Sequence, residues 1–139
     1  MPKVRITTPE EKPWQVSGER VETDLSRQIQ PDGGPWSAYK IREPGSETEL
    51  QLVELRFHPG EVTELHCHDE DELIYILEGS MLINNRELKA GTTVYLGGGV
   101  FYGFTAGPEG LHFLNFRGHI DNSFHLPGRR KIVDTSVSH

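Results

Sequence analysis

GEVTELHCHDEDELIYILEG, from Gly60 to Gly79, contains two histidines and one glutamate at the spacing of a metal site carried on a strand. A single residue separates His66 from His68, so in an extended chain both imidazoles lie on the same face. Glu72 follows an acidic bend and opens a second apolar run, which we expect to be the antiparallel return strand. Its carboxylate would then lie across from the histidine pair. The stretch therefore predicts three metal ligands, His66, His68 and Glu72.

Two histidines and one carboxylate leave coordination positions open for other ligands. This set is typical of non-haem Fe(II) sites that use O₂, and manganese, nickel, copper and zinc accept the same side chains. We therefore expect one divalent transition metal per chain, with iron as the first choice.

The spacing G-x5-H-x-H-x3-E-x6-G resembles the first motif of the cupin superfamily at every position. The second cupin motif, G-x5-P-x-G-x2-H-x3-N, aligns with the segment that starts at Gly91. Gly91 and Gly99 match it. Gly97 stands in place of the proline, Tyr102 in place of the fourth ligand histidine and Ala106 in place of the asparagine. The resemblance implies an all-β fold, a double-stranded β-helix or jelly-roll barrel that encloses a cavity.

Tyr102 occupies the position at which the second motif has a metal-binding histidine. To bind as a phenolate at pH 7, its pKa must fall by about 3 from its ordinary value, at roughly 4 kcal/mol. We favour a neutral Tyr102 beside the metal, as a hydrogen-bond donor or general acid, over direct ligation. A core tyrosine with a satisfied hydroxyl is the structural alternative.

His112 is the rival of Tyr102 for completing the metal shell. If 107–110 forms a tight hairpin turn, Tyr102 pairs with Asn115 and His112 lies on the opposite face. A slip of one residue in the register reverses that choice.

The other histidines and the single cysteine are assigned structural positions. His58, His119, His125 and His139 are predicted to be solvated. Cys67 alternates with the two ligand histidines, so we expect a small buried hydrophobe and not a ligand. One cysteine excludes an internal disulfide.

Length, composition and charge limit the classes of protein to which this chain can belong. The 139 residues correspond to one domain, and no apolar run approaches the length of a membrane span. A net charge of −7 argues against nucleic-acid binding. The N-terminus lacks the apolar region of a signal peptide, so we expect a cytoplasmic protein. The organisation we predict is an extended N-terminal arm at 1–35, a cupin barrel at 36–128 and a C-terminal tail at 129–139.

Glycine and proline residues at frequent intervals predict turns that separate many short strands. A helical or coil piece is predicted in the arm at Val21–Ile29, and turns at Asn84-Asn85 and at 107–110. With Glu72 inward, Ile74 and Ile76 share its face, and their predicted core partners are Val94, Leu96, Phe104 and Phe113. The predicted strands are Trp36–Arg42, Leu50–His58, Val62–Cys67, Leu73–Leu77, Ser80–Ile83, Thr92–Leu96, Phe101–Thr105 and Leu111–Arg117.

Function is less constrained than fold. The open ligand set predicts an enzyme, first an oxygenase or dioxygenase acting on a small organic substrate. A redox-neutral lyase, isomerase or cyclase that uses Tyr102 as acid or base is the alternative. Small cupins such as dimethylsulfoniopropionate lyases and ectoine synthase are similar in having a tyrosine near the metal. A non-catalytic ligand-binding or sensory cupin is the third interpretation. The resemblance also implies a homodimer.

Overall fold

The computed structural model describes residues 3–16 and 37–128. A single 3-10 turn, Pro9–Glu11, precedes the strands. The strands are β1 Gln15–Val16, β2 Ala38–Glu43, β3 Gln51–Phe57, β4 Val62–His66, β5 Glu72–Ile83, β6 Arg86–Lys89, β7 Thr93–Leu96 and β8 Tyr102–Arg117.

The strands form one curved antiparallel sheet in the order β1-β2-β3-β8-β5-β6, with β4 on β8 and β7 on β5. Because β8 pairs with β3, β4 and β5, it holds both walls of the barrel together. This architecture confirms the predicted all-β jelly roll.

Alternation along β5 shows why the chain folds this way. Glu72, Ile74 and Ile76 are buried, whereas Leu73 and Tyr75 between them are exposed. This period of two directs one face of the strand to the core and the other outward. The predicted core partners follow the same rule: Phe104 and Phe113 are buried, and Val94 and Leu96 pack against the core from partly buried positions.

The segment 107–110 is not a hairpin turn, contrary to the sequence prediction. It lies inside one continuous strand, β8, that replaces the two predicted strands. Its pairing with β5 places Gly79 opposite Leu111 and Met81 opposite Ala106. The four residues 107–110 therefore bulge out opposite a single residue of β5. Glycine and proline, which favour turns, here form a bulge that bends the strand.

Strand β5 also joins two strands that the sequence predicts as separate, Leu73–Leu77 and Ser80–Ile83. Gly79, with φ of 73°, lies between them. A Cβ at this position would lie 2.0 Å from the carbonyl oxygen of Gly110, so the close passage of β8 requires glycine. The predicted turn at Asn84-Asn85 is confirmed, since both residues have positive φ and join β5 to the unpredicted β6.

Other predictions fall outside the described residues. They include the piece at Val21–Ile29, His139 and the whole tail at 129–139. The division into arm, barrel and tail stays a prediction. Within the described residues, no helix has the length and apolar character needed to span a membrane.

Candidate metal centre

His66 and His68 lie side by side on the inner face of the barrel, with ring centroids 4.9 Å apart. A bulge in β4 positions the first of them. Thr63 pairs with Phe104 and His66 with Tyr102, so β4 contains one more residue than β8 between these pairs. The extra residue turns His66 toward the cavity, on the side that Thr63 already faces.

Backbone carbonyls orient both imidazoles. His66 Nδ1–H donates to the Glu64 carbonyl at 2.7 Å, and His68 Nδ1–H donates to the Ser123 carbonyl at 2.5 Å. A carbonyl only accepts, so each Nδ1 carries the proton and each Nε2 keeps its lone pair. Burial lowers the pKa of His66, against the raising effect of its bond to Glu64. The lowered pKa favours neutral His66, and the Nδ1 bonds fix the orientation of both rings so that each Nε2 can serve as a metal ligand.

Glu72 is the first residue of β5 and is 3% exposed. Its Oε1 accepts hydrogen bonds from Tyr102 Oη at 2.7 Å and from Asn115 Nδ2 at 2.9 Å. Its Oε2 accepts one from Arg117 at 3.1 Å. Three donors fix the orientation of this carboxylate inside the barrel.

The strand pairing that brings Glu72 close to the histidines differs from the sequence prediction. The strand it opens is not the return strand of β4, because β4 pairs with β8. Strand β8 lies next to both and carries Tyr102 and Asn115, which contact the carboxylate. Strands β4 and β5 are therefore not paired with each other, and the strand between them brings the ligands together.

The three candidate ligands are of the types that transition metals bind. His68 Nε2 lies 3.6 Å from Glu72 Oε2, close to the separation of two donors that share an ion at about 2.0–2.2 Å from each. In residues 3–16 and 37–128, no group of three or more His, Cys, Asp or Glu side chains is arranged so that it could hold a metal ion. Binding of an ion would therefore require these side chains to move.

Tyr102 packs against His66, with ring centroids 4.5 Å apart. Burial, followed by the charge of Glu72 and the hydrogen bond to it, raises the pKa of Tyr102 far above its ordinary value. These contacts favour a protonated phenol that donates to Glu72.

His112 lies away from this centre. Its Nε2 lies 2.6 Å from Glu54 Oε2 and its Nδ1 lies 3.1 Å from Glu78 Oε1, on the outer face of the sheet. Its neighbours Leu111 and Phe113 are buried. His112 is therefore on the face opposite Tyr102. The hairpin that the sequence prediction assumed is not the cause, because β8 runs through this segment without a turn.

The prediction that His125 is solvated was wrong. Its side chain is fully buried and its Nε2 lies 2.8 Å from Asp69 Oδ1. Its backbone pairs with Cys67, which is fully buried as predicted. Asp121 and Ser123 are buried as well, at a period of two, but the residue types in this polar stretch do not mark the inward positions. Of the others, His58 is partly buried and the side chain of His119 is 40% exposed.

The segment that follows β8 closes the site, which sequence reasoning missed. Phe124 stacks on His66 with centroids 4.6 Å apart. Asp121 accepts hydrogen bonds from the Ser123 amide and hydroxyl and from the Glu70 amide. Burial raises the pKa of Asp121, but these bonds and the charge of Arg117 outweigh it and leave the pKa below its ordinary value.

A cavity of about 430 Å³ opens beside the two histidines. Most of its wall is apolar, and its polar groups gather near the candidate ligands. The apolar wall comprises Tyr39, Ile41, Val53, Leu55, Phe57, Phe104, Phe113 and Phe124, and the polar end comprises Gln51, Asn115, Arg117, Asp121 and Asn122.

Comparison with solved structures shows that the chain has the same fold as cupin proteins. KdgF from a Halomonas species has a TM-score of 0.60 and 20% identity, over 84% of this chain and 96% of that protein. An RmlC-like cupin from Shewanella frigidimarina has a TM-score of 0.58 and 17% identity, over 84% and 92%.

One curated relative is similar in sequence. Dimethylsulfoniopropionate lyase DddW from Ruegeria pomeroyi is 38% identical over 69 residues, which is 47% of this chain and 45% of the lyase. The match thus spans less than half of either protein. The sequence matches no protein-family model.

Proposed function

We propose that this chain is a metal-dependent cupin enzyme that catalyses a redox-neutral reaction of the lyase type on a small organic acid, with Tyr102 as the acid or base that exchanges a proton with the substrate. The observation that carries the proposal is the buried hydrogen bond, 2.7 Å long, from Tyr102 Oη to the candidate ligand Glu72. Elimination transfers a proton from the carbon next to the substrate carboxylate to a base while the leaving group departs with the bonding electrons, and the Tyr102 oxygen beside the candidate ligands is placed to exchange that proton.

His66, His68 and Glu72 would hold the metal. When bound, a divalent ion would supply Lewis acidity that polarises a substrate carboxylate or carbonyl. The Nδ1 bonds of the two histidines orient the ligand nitrogens before an ion arrives, and the donors to Glu72 orient its carboxylate.

The protein supplies three further parts. Tyr102 holds a proton beside His66, with ring centroids 4.5 Å apart. Phe124 covers His66 and limits the access of water. The apolar wall of the cavity suits a small organic substrate with a few oxygen atoms.

Similarity to the dimethylsulfoniopropionate lyase supports the lyase class, since that enzyme is named for a cleavage reaction. Its substrate serves here as the first compound to test.

An iron-dependent oxygenase or dioxygenase is the second candidate. The observation that favours it is the two-histidine, one-carboxylate set, which leaves room for both a substrate and O₂. The identity of the metal, the cytoplasmic location and the homodimer stay predictions.

The test begins with elemental analysis of protein purified without added metal. The metal-loaded protein is then assayed with dimethylsulfoniopropionate and other carboxylates that bear a leaving group at the β carbon, in air and under nitrogen. We expect equal turnover in both atmospheres, and a loss of roughly 10²- to 10⁴-fold in Tyr102→Phe with metal content unchanged.

Two outcomes would contradict this proposal. Consumption of O₂ in proportion to product would favour the dioxygenase. Binding of metal and ligands without turnover of any compound would favour a sensory protein.

A further inference from the structure

Gln51 and Arg117 lie next to each other in the wall of the cavity. They are direct partners in the register of β3 and β8, and both line the cavity that holds the histidines. Along β3, Val53 and Leu55 face the same cavity at a period of two. Gln51 is therefore a polar residue at an inward position of an otherwise apolar wall, and it is 7% exposed.

The side-chain amide of Gln51 has a fixed orientation. Its Nε2 donates a hydrogen bond to the Pro44 carbonyl at 3.1 Å. Rotating the amide would bring its oxygen against that carbonyl, so Oε1 must point the other way. This oxygen is buried and has no hydrogen-bond partner among the described residues.

The guanidinium of Arg117 is held in a similar manner. One terminal nitrogen donates to the Asp121 carbonyl at 2.5 Å and the other to Glu72 Oε2 at 3.1 Å. Its Nε–H is buried, and in the described part of the chain it has no acceptor. Because both terminal nitrogens are engaged, this group cannot turn toward another acceptor without breaking a bond to the candidate ligand Glu72.

Buried polar groups without partners are rare in folded proteins, because leaving one unsatisfied is costly. Here an acceptor and a donor lie on directly paired residues of one cavity wall. A hydroxyl group both donates and accepts, so a single hydroxyl can satisfy the two together.

We propose that Gln51 Oε1 and Arg117 Nε–H form a subsite for a substrate hydroxyl, and that the substrate is a small hydroxycarboxylate. The hydroxyl donates to Gln51 and accepts from Arg117. This inference rests on the proposed function for the carboxylate, whereas the hydroxyl is inferred from the subsite alone. A site built to pair a hydroxyl disfavours the analogue without it, because its own polar groups are then left unpaired.

The test compares compounds that differ by one hydroxyl. Affinities of propionate, 2-hydroxypropionate and 3-hydroxypropionate for the metal-loaded protein are measured by calorimetry. We expect at least one hydroxy acid to bind about tenfold or more tightly than propionate. In Gln51→Met, which keeps the volume and removes the acceptor, this ratio should fall to near one. Thr63→Val, in the same cavity, is the matched control and should preserve the ratio.

Two results would overturn the subsite: equal affinity of the wild type for all three compounds, or an unchanged preference in Gln51→Met. The first needs no variant and so does not depend on the folding of Gln51→Met. Since binding is measured without turnover, failure of the proposed reaction would leave the preference intact. Failure of the subsite would leave turnover of other carboxylates intact.

Discussion

Tyr102→Phe removes one hydroxyl from the centre of the candidate site and keeps the ring. The hydroxyl donates to Glu72 Oε1, which retains the bond from Asn115 Nδ2. A hydrogen bond to a charged group contributes about 1.5–3 kcal/mol, and because a second donor remains, we expect a loss near the lower end. With a urea m-value of about 1–3 kcal/mol/M, the unfolding midpoint should fall by roughly 0.5–1.5 M.

Tyr95→Phe is the matched control. Tyr95 Oη also donates to a carboxylate, that of Asp71, but its side chain is 66% exposed. Water replaces the lost partner there, so the change should stay within about 0.5 kcal/mol. Both variants and the wild type are unfolded in urea after removal of metal by a chelator, so that differences in metal affinity do not enter.

Equal losses in the two variants, or no loss in Tyr102→Phe, would refute the reasoning. Either result would mean that the Tyr102 hydroxyl does not hold the Glu72 carboxylate, and the role of Tyr102 in proton transfer would lose its structural basis.

Three further predictions concern the same region. Alanine in place of any one of the three candidate ligands should strongly reduce bound metal by elemental analysis and leave the circular dichroism spectrum of the barrel unchanged; full occupancy in all three variants would exclude the site. Gly98→Ala should destabilise the fold by about 1–3 kcal/mol, because the new Cβ would lie 2.2 Å from the Asp69 carbonyl oxygen. Gly97→Ala, whose Cβ would meet its nearest atom at 3.6 Å, should change stability little, and equal losses would contradict the packing. Asp121 has a lowered pKa, so its stabilisation is complete above its ordinary pKa of 3.8 and is lost as pH falls through the lower value in the folded state. The difference in unfolding free energy between wild type and Asp121→Asn should therefore shrink below about pH 4, and a constant difference would count against the assignment.

The sequence alone predicted the features that depend on local spacing. Alternation with a period of two identified the inward positions Ile74 and Ile76 and the buried Cys67, because side chains alternate in any extended segment. The same rule named His66 and His68 as neighbours, and the motif supplied Glu72.

Only the tertiary structure decided which strands meet. Pairing of β4 with β8, the bulge at 107–110 and the burial of His125 depend on contacts between residues far apart in the chain. No local pattern encodes such contacts, and a bulge changes the inward face without changing the type of any residue. The pairing of Gln51 with Arg117 also depends on distant contacts. In the sequence each is an ordinary polar residue, and only the register of β3 and β8 brings the two together in the wall of the cavity.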